Sequence, residues 1–261
     1  VAAGDSGRLY VGTEAGLAIF EHGRFAAVPL GEGAKPVGCE CLFPDGEASL
    51  WVGTREATFR IEAAGVVEVF RADGLRLPAV CFVRDSGGRL VVVDRAGTLY
   101  EHLDGAFEEL IVEAPEPFPG GRVLAADQAG GLWIGSYGSG LARLADGRLR
   151  RWSQQANGLP SSHVVALVAS AGVVWAGSEN GVFGCPVEAF ARSTDGERPA
   201  VWRVTQADGL PEKVCTARRQ PAACITPDGM IWMPNGPAVA GFRPADAMTP
   251  LVSQTSDDWL T

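Results

Sequence analysis

The sequence predicts an all-β fold, a β-propeller of four-stranded antiparallel blades, with six blades in this chain. Three observations predict it: an internal repeat, the same four-strand context around each copy, and a composition of short apolar runs broken by turn residues.

The repeat is an aromatic residue followed by a step of small residues. Its copies are Leu9-Tyr10-Val11-Gly12-Thr13, Leu50-Trp51-Val52-Gly53-Thr54, Leu90-Val91-Val92-Val93-Asp94, Leu132-Trp133-Ile134-Gly135-Ser136, Val174-Trp175-Ala176-Gly177-Ser178 and Ile231-Trp232-Met233-Pro234-Asn235. Their second residues fall at 10, 51, 91, 133, 175 and 232, steps of 40–42 residues until the last, which is 57. A period of about 40–45 residues is that of propeller blades.

The context repeats as well. An apolar run ending in an acidic turn precedes each copy, as in Cys81-Phe82-Val83-Arg84-Asp85-Ser86-Gly87-Gly88. A Gly-Leu strand such as Gly140-Leu141-Ala142-Arg143-Leu144 follows, then a tight Asp-Gly or His-Gly turn and a fourth strand. Four strands joined by tight turns form a meander that cannot bury both faces alone, so copies stack around an axis. The expected blades lie near 1–30, 37–71, 79–111, 121–153, 162–206 and 221–255, one domain over 1–255 with a tail at 256–261. Leu251-Val252-Ser253 is expected to supply a fourth strand to the last blade. A seventh blade would need flanking sequence. The long final interval places an elongated polar loop between Cys185 and Ala200, joining the third and fourth strands of the fifth blade.

Composition agrees. Apolar residues make up 46% of 261 residues, with 34 Gly and 17 Pro, enough for a large core and many turns. The formal net charge of −9 argues against a nucleic-acid backbone or an anionic membrane surface as partner. No run reaches the ~18 apolar residues of a membrane span. The opening Val1-Ala2-Ala3-Gly4-Asp5 is neither a signal peptide nor an initiator Met, and reads as a piece of a longer protein.

These motifs resemble the two-component regulator propeller family. The Leu-Trp-Ile-Gly-Thr-like strands and Gly-Leu strands match its repeat. So do the linkers Asp73-Gly74-Leu75 with Pro78, Asn157-Gly158-Leu159-Pro160 and Asp208-Gly209-Leu210-Pro211. The last blade adds Pro211, Cys215, Gln220-Pro221-Ala222 and Asp228-Gly229, and the resemblance covers residues 1 to about 245. It departs at Val91 and Val93, at Pro234-Asn235, and at Arg218-Arg219. The resemblance implies a ligand-sensing, extracytoplasmic region of a bacterial transmembrane signalling protein, a hybrid histidine kinase or diguanylate cyclase of the inner membrane. It further implies that an immunoglobulin-like domain, a membrane span and an output domain lie outside this sequence, and that the parent forms a homodimer.

Catalytic chemistry finds little support. His22 and His102 are expected in solvated turns between third and fourth strands. His163 enters the fifth blade's inner strand and has no second His or acid at ligand spacing, so neither metal nor cofactor is expected. Ser161 and Ser162 lack a nucleophile-elbow setting. Asp5, Asp45, Asp85, Asp127 and Asp228 recur at one turn, where an Asp side chain caps the backbone. A propeller lyase or hydrolase is the enzymatic alternative and would need a clustered His–acid constellation.

Binding is expected where loops converge on one face. Loops between second and third strands supply Glu14, Arg55, Glu56, Arg95, Tyr137, Glu179 and Asn180. Loops leading into inner strands supply Lys35, Arg76, His163, Lys213, Arg218 and Arg219. Tyr137, in a loop of small residues, offers a stacking platform for a sugar or other planar ligand. The residues expected to bind the ligand are Tyr137, Arg55, Arg95, Arg218, Arg219 and His163. Two function classes stay open: a sensor for a small molecule or carbohydrate, and a scaffold for a protein or peptide.

The six cysteines read as free thiols. Counting back four residues from each turn acid, and from Ser170 in the fifth blade, aligns Cys41, Cys81 and Cys224 with Val1, Val123 and Ala166, small apolar residues of the inner strands. Cys39 should share the face of Cys41, while Cys185 and Cys215 fall in loops. A Cys41–Cys81 disulfide is the rival in an oxidising compartment, although equivalent positions on neighbouring strands should lie beyond the ~7 Å a bridge spans.

Overall fold

Third and fourth strands are joined by two-residue turns whose backbone demands a left-handed pair. His22 and Gly23, Asp104 and Gly105, and Asp146 and Gly147 all have positive φ, the geometry that matches the twist of a tight hairpin. Asp and Gly tolerate it, so the sequence sets these turns locally.

The computed structural model describes residues 1–4, 7–31, 37–46, 49–62, 64–112, 118–194, 196–217 and 219–248. The protein is an all-β six-bladed propeller of antiparallel blades. The strands follow chain order within each sheet. Blade one holds Ala2–Ala3, Leu9–Thr13, Gly16–Glu21 and Arg24–Val28; blade two Cys39–Asp45, Ser49–Thr54, Thr58–Glu62 and Gly65–Val69. Blade three holds Ala79–Arg84, Leu90–Asp94, Leu99–Leu103 and Ala106–Glu109; blade four Gly121–Ala126, Leu132–Ser136, Leu141–Ala145 and Arg148–Trp152. Blade five holds Val164–Ser170, Val173–Ser178, Gly181–Pro186 and Trp202–Val204. The sixth sheet shows three strands among the described residues: Cys224–Ile225, Ile231–Asn235 and Ala238–Phe242. The expected strand at Leu251-Val252-Ser253 and the tail at 256–261 lie outside the described residues. No helix among them is long and apolar enough to cross a membrane.

Two compact units make up the chain. One comprises Val1–Val112, Pro119–Leu124 and Arg219–Pro221; the other is built on Ala125–Arg218 and Ala222–Thr261. In the first, Trp51 is buried against Phe82 and Phe107, with ring centroids 5.9 and 5.5 Å away. In the second, Trp175 is buried against Trp202 and Phe242, at 6.5 and 5.1 Å. The repeated aromatic is therefore core between blades. The small residue two places later is needed for the same packing. A Cβ on Gly53 would overlap the Ala79 carbonyl oxygen and Cys41 Sγ, and one on Gly12 would lie 2.9 Å from Cys39 Cβ. The degenerate third copy still builds a complete blade, with Val91, Val92 and Val93 fully buried.

Several expectations need correction. The stretch after Cys185 is not a polar loop: it carries a helix, Val187–Arg192, that buries Val187 and Phe190. Phe190 lies 5.7 Å from Trp133 and 5.0 Å from Trp152, covering the fourth blade's aromatics. Trp152 Nε1 donates to Ser193 Oγ at 3.1 Å, and Asn157 Nδ2 donates to the Glu197 carbonyl at 2.9 Å. His102 is no turn residue. It sits inside the strand Leu99–Leu103, its ring edge-on to Trp51 at 4.9 Å, where burial depresses its basicity. In the first linker Leu75 is exposed and Leu77 is fully buried, so Leu77-Pro78 is the counterpart of Leu159-Pro160 and Leu210-Pro211.

All six cysteines are free. Cys39 and Cys41 do not share a face. A bulge pairs Cys39 with Thr54 and Cys41 with Gly53, leaving Glu40 as the extra residue. Cys39 packs with Leu17 and Leu42, and Cys41 with Ala79 and Phe82. Cys185 lies within a strand and is buried. Cys224 is exposed, as is Val1. Cys224 pairs with Trp232 as Phe43 pairs with Trp51, which places it two residues beyond the Cys41 position. The reason is that Thr226, not Asp228, occupies the turn site: Thr226 N donates to Met230 O as Asp85 N donates to Arg89 O.

Candidate functional site

The residue directly after the second strand is Glu14, Arg55, Arg95, Tyr137 or Glu179 in the first five blades, and these positions supply the most distinctive side chains. The Thr, Ser or, in the third blade, Asp before it fixes the loop. Thr54 Oγ1 accepts from Glu56 N and Ala57 N, and Ser178 Oγ accepts from Asn180 N.

In the first unit Arg55, Arg95 and Arg219 gather around Glu40, which is not among the residues expected from sequence. Arg55 Nε and Arg95 Nη2 each lie 2.9 Å from Glu40 Oε1. The Glu40 side chain is only 10% exposed. Burial works hardest against its ionisation, yet the hydrogen bond from Arg55 and the charges of Arg95 and Arg219 together hold its carboxyl below the usual glutamate range. Arg219 Nη1 donates to the Cys39 carbonyl, and Nη2 lies 3.3 Å from Glu14 Oε1. Next in the chain, Gln220 anchors this segment through bonds to both Phe82 N and Phe82 O, at 2.8 and 2.6 Å.

The signal for Glu40 was present. At the equivalent bulge position of the third and fifth blades' inner strands stand Val80 and Val165, each flanked by the same register shift. An acid there, between two buried cysteines, marks a site where charge must be met by charge.

In the second unit the fold joins Tyr137 to His163. The rings meet edge to face at 4.6 Å, and the two residues form an antiparallel bridge. The loop is pinned because Gly138 N and Gly140 N both donate to the Ser162 carbonyl, at 3.0 and 2.9 Å. Tyr137 remains 66% exposed. His163 also acquires the acid partner that its sequence neighbourhood lacked: Nδ1 lies 3.0 Å from Glu179 Oε1. Buried Ser161 braces the pair, accepting from His163 N at 2.9 Å and donating to Glu179 Oε1 at 3.3 Å.

The other candidates are placed as follows. Arg76 pairs with Glu68 at 2.9 Å. Asn180 Nδ2 donates to the Pro160 carbonyl, bracing the linker at 2.8 Å. Glu56 and Lys213 are exposed. Lys35, Arg218 and Asp5 lie outside the described residues. Among those described, no three His, Cys, Asp or Glu side chains gather as a metal site.

No family model matches the sequence, and no curated protein matches it. Solved structures share the fold. The extracellular domain of the putative hybrid two-component system BT3049 from B. thetaiotaomicron superposes with a TM-score of 0.71 at 16% identity, over 93% of this chain and 33% of that one. This chain therefore spans about a third of that domain. Catalytically inactive virginiamycin B lyase from Staphylococcus aureus, with quinupristin, gives 0.65 at 11% identity, over 93% of this chain and 82% of the lyase. YCF48 bound to D1 peptide gives 0.55 at 10% identity, over 86% and 71%. At these identities the likeness is one of fold.

Proposed function

We propose that this chain is the ligand-sensing, extracytoplasmic propeller region of a bacterial transmembrane signalling protein, non-catalytic in itself, binding a small molecule or sugar through its loops. The observation that carries the reading is Tyr137, an aromatic ring 66% exposed on a loop held rigid by backbone hydrogen bonds. The core makes no use of it, and a fixed, solvated ring is what stacking on a sugar face requires. The likeness to the BT3049 extracellular domain supports the same role by analogy of fold. The signalling output and membrane attachment belong to the parent protein. Isothermal titration of the chain against a panel of mono- and oligosaccharides tests the reading. A binder whose heat disappears in Tyr137→Ala, with unchanged thermal stability, supports it; a panel with no Tyr137-dependent binder refutes the site.

A second reading, a propeller lyase, is favoured by one observation. Glu179 orients His163 through Nδ1, the arrangement of a general base. Loss of quinupristin on incubation with the chain, abolished by His163→Ala, would favour this reading over the sensor.

A further inference from the structure

Arg55 and Arg95 come from equivalent loops of neighbouring blades and share a single carboxylate oxygen, Glu40 Oε1. Neither has another partner among the described residues, and their side chains stay 59% and 45% exposed. Each planar guanidinium therefore keeps unused N–H donors in a fixed fork. Arg219 adds a third, anchored by the Cys39 carbonyl. Among the described residues its ion-pair partner is Glu14, whose side chain is 86% exposed and whose oxygen stands 3.3 Å away. The cluster thus sets three guanidiniums against one buried carboxylate and one loosely held, solvated carboxylate, on a protein with a formal net charge of −9.

We propose that Arg55, Arg95 and Arg219, organised by Glu40, form a binding site for an oxyanion group carried by a small ligand. Glu40 is the positioning residue. By bridging Arg55 and Arg95 it removes their side-chain freedom before the ligand arrives, which reduces the entropic cost of binding. Glu14 is a displaceable internal carboxylate that a ligand oxyanion replaces on Arg219. The shared chemistry is a charge-assisted hydrogen bond from a guanidinium to a carboxylate, sulfate or phosphate oxygen. The proposal rests on the sensor reading and specifies the class of ligand, one bearing an acidic group.

The test is isothermal titration of the whole chain at low ionic strength, where exposed charges are least screened. The probes are sodium galacturonate, inorganic phosphate, sulfate and neutral galactose. Saturable binding of at least one anion is expected, weakened about tenfold or more in Arg95→Gln, as loss of a charge-assisted contact implies. Preference for galacturonate identifies a carboxylate as the group; preference for phosphate or sulfate identifies a tetrahedral oxyanion. Glu14→Gln, an exposed change that leaves folding intact, should tighten the same binding by releasing Arg219. Absence of saturable anion binding overturns the proposal, as does affinity unchanged in both variants. Galactose binding that depends on Tyr137 but not on Arg95 overturns it while leaving the sensor reading in place.

Discussion

Trp133 Nε1 donates to Asp127 Oδ2 over 2.7 Å, and both residues are buried. The same carboxylate accepts Arg143 Nε at 2.8 Å and, through Oδ1, the amides of Ala129 and Gly131. One aspartate thus caps its turn, satisfies the indole of the blade's core aromatic and neutralises a nearly buried arginine. Burial is the strongest single influence on its carboxyl and opposes ionisation. The bonds from Arg143, Gly131 N and Trp133 together outweigh it and hold the pKa below the usual aspartate value. Because folding lowers the pKa, this stabilisation is complete above the unfolded value of about 3.9 and fades as pH falls through the folded one. Asp45 and Asp85 are shifted in the same direction. Stability measured by urea unfolding should therefore decline steeply below about pH 4. Asp127→Asn should flatten that decline, and Asp127→Ala should cost about 3–5 kcal/mol at neutral pH by leaving Arg143 unpaired.

The fifth blade lacks this arrangement. Its first hairpin turns at Ala171-Gly172 with no acid, and Trp175 Nε1 is buried without a hydrogen-bond partner among the described residues. Replacing Trp by Phe removes the same volume at either site but breaks a hydrogen bond only at Trp133. Trp133→Phe should thus cost about 1–2 kcal/mol more than Trp175→Phe. Equal losses in denaturant melts would show that the indole bond contributes nothing net.

The helix Val187–Arg192 covers the fourth blade's aromatics through Phe190. Phe190→Ala should destabilise the protein by about 3–5 kcal/mol, as truncation of a fully buried Phe does. A solvated loop would lose nearly nothing, so a thermal melt separates the two descriptions.

Cysteine accessibility offers a direct check of the register. Cys39, Cys41, Cys81, Cys185 and Cys215 are buried, and burial raises every one of these thiols, Cys81 to about 12. The thiolate is the reactive form. Native-state alkylation followed by mass spectrometry should label Cys224 within minutes and the other five only after denaturation. Prompt labelling of a second thiol would mean the strand register is wrong there.

Repeat spacing was legible because each blade is a local unit. A Trp at one place in a strand and an Asp-Gly turn a few residues later depend only on neighbours in the chain. Arg55, Arg95 and Tyr137 were legible for the same reason, since the residue after the second strand recurs in every copy. Their partners were not. Glu40 meets Arg95 and Arg219 from outside its own blade, and Glu179 reaches His163 only once two strands pair. Turn length misled where it varied. Thr226 replaces the expected acid, which carried Cys224 two residues from its supposed place.

Sequence alone was enough for the blade, the number of copies and the repeated core residues Trp51, Trp133 and Trp175, because apolar periodicity and turn chemistry act over a few residues. The tertiary structure decided which face Cys39 takes, that the segment after Cys185 covers Trp133, and that three arginines share the surroundings of one buried glutamate. Each of these depends on a bulge or on side chains far apart in the chain, where the balance of burial against charge pairing is fixed only by packing.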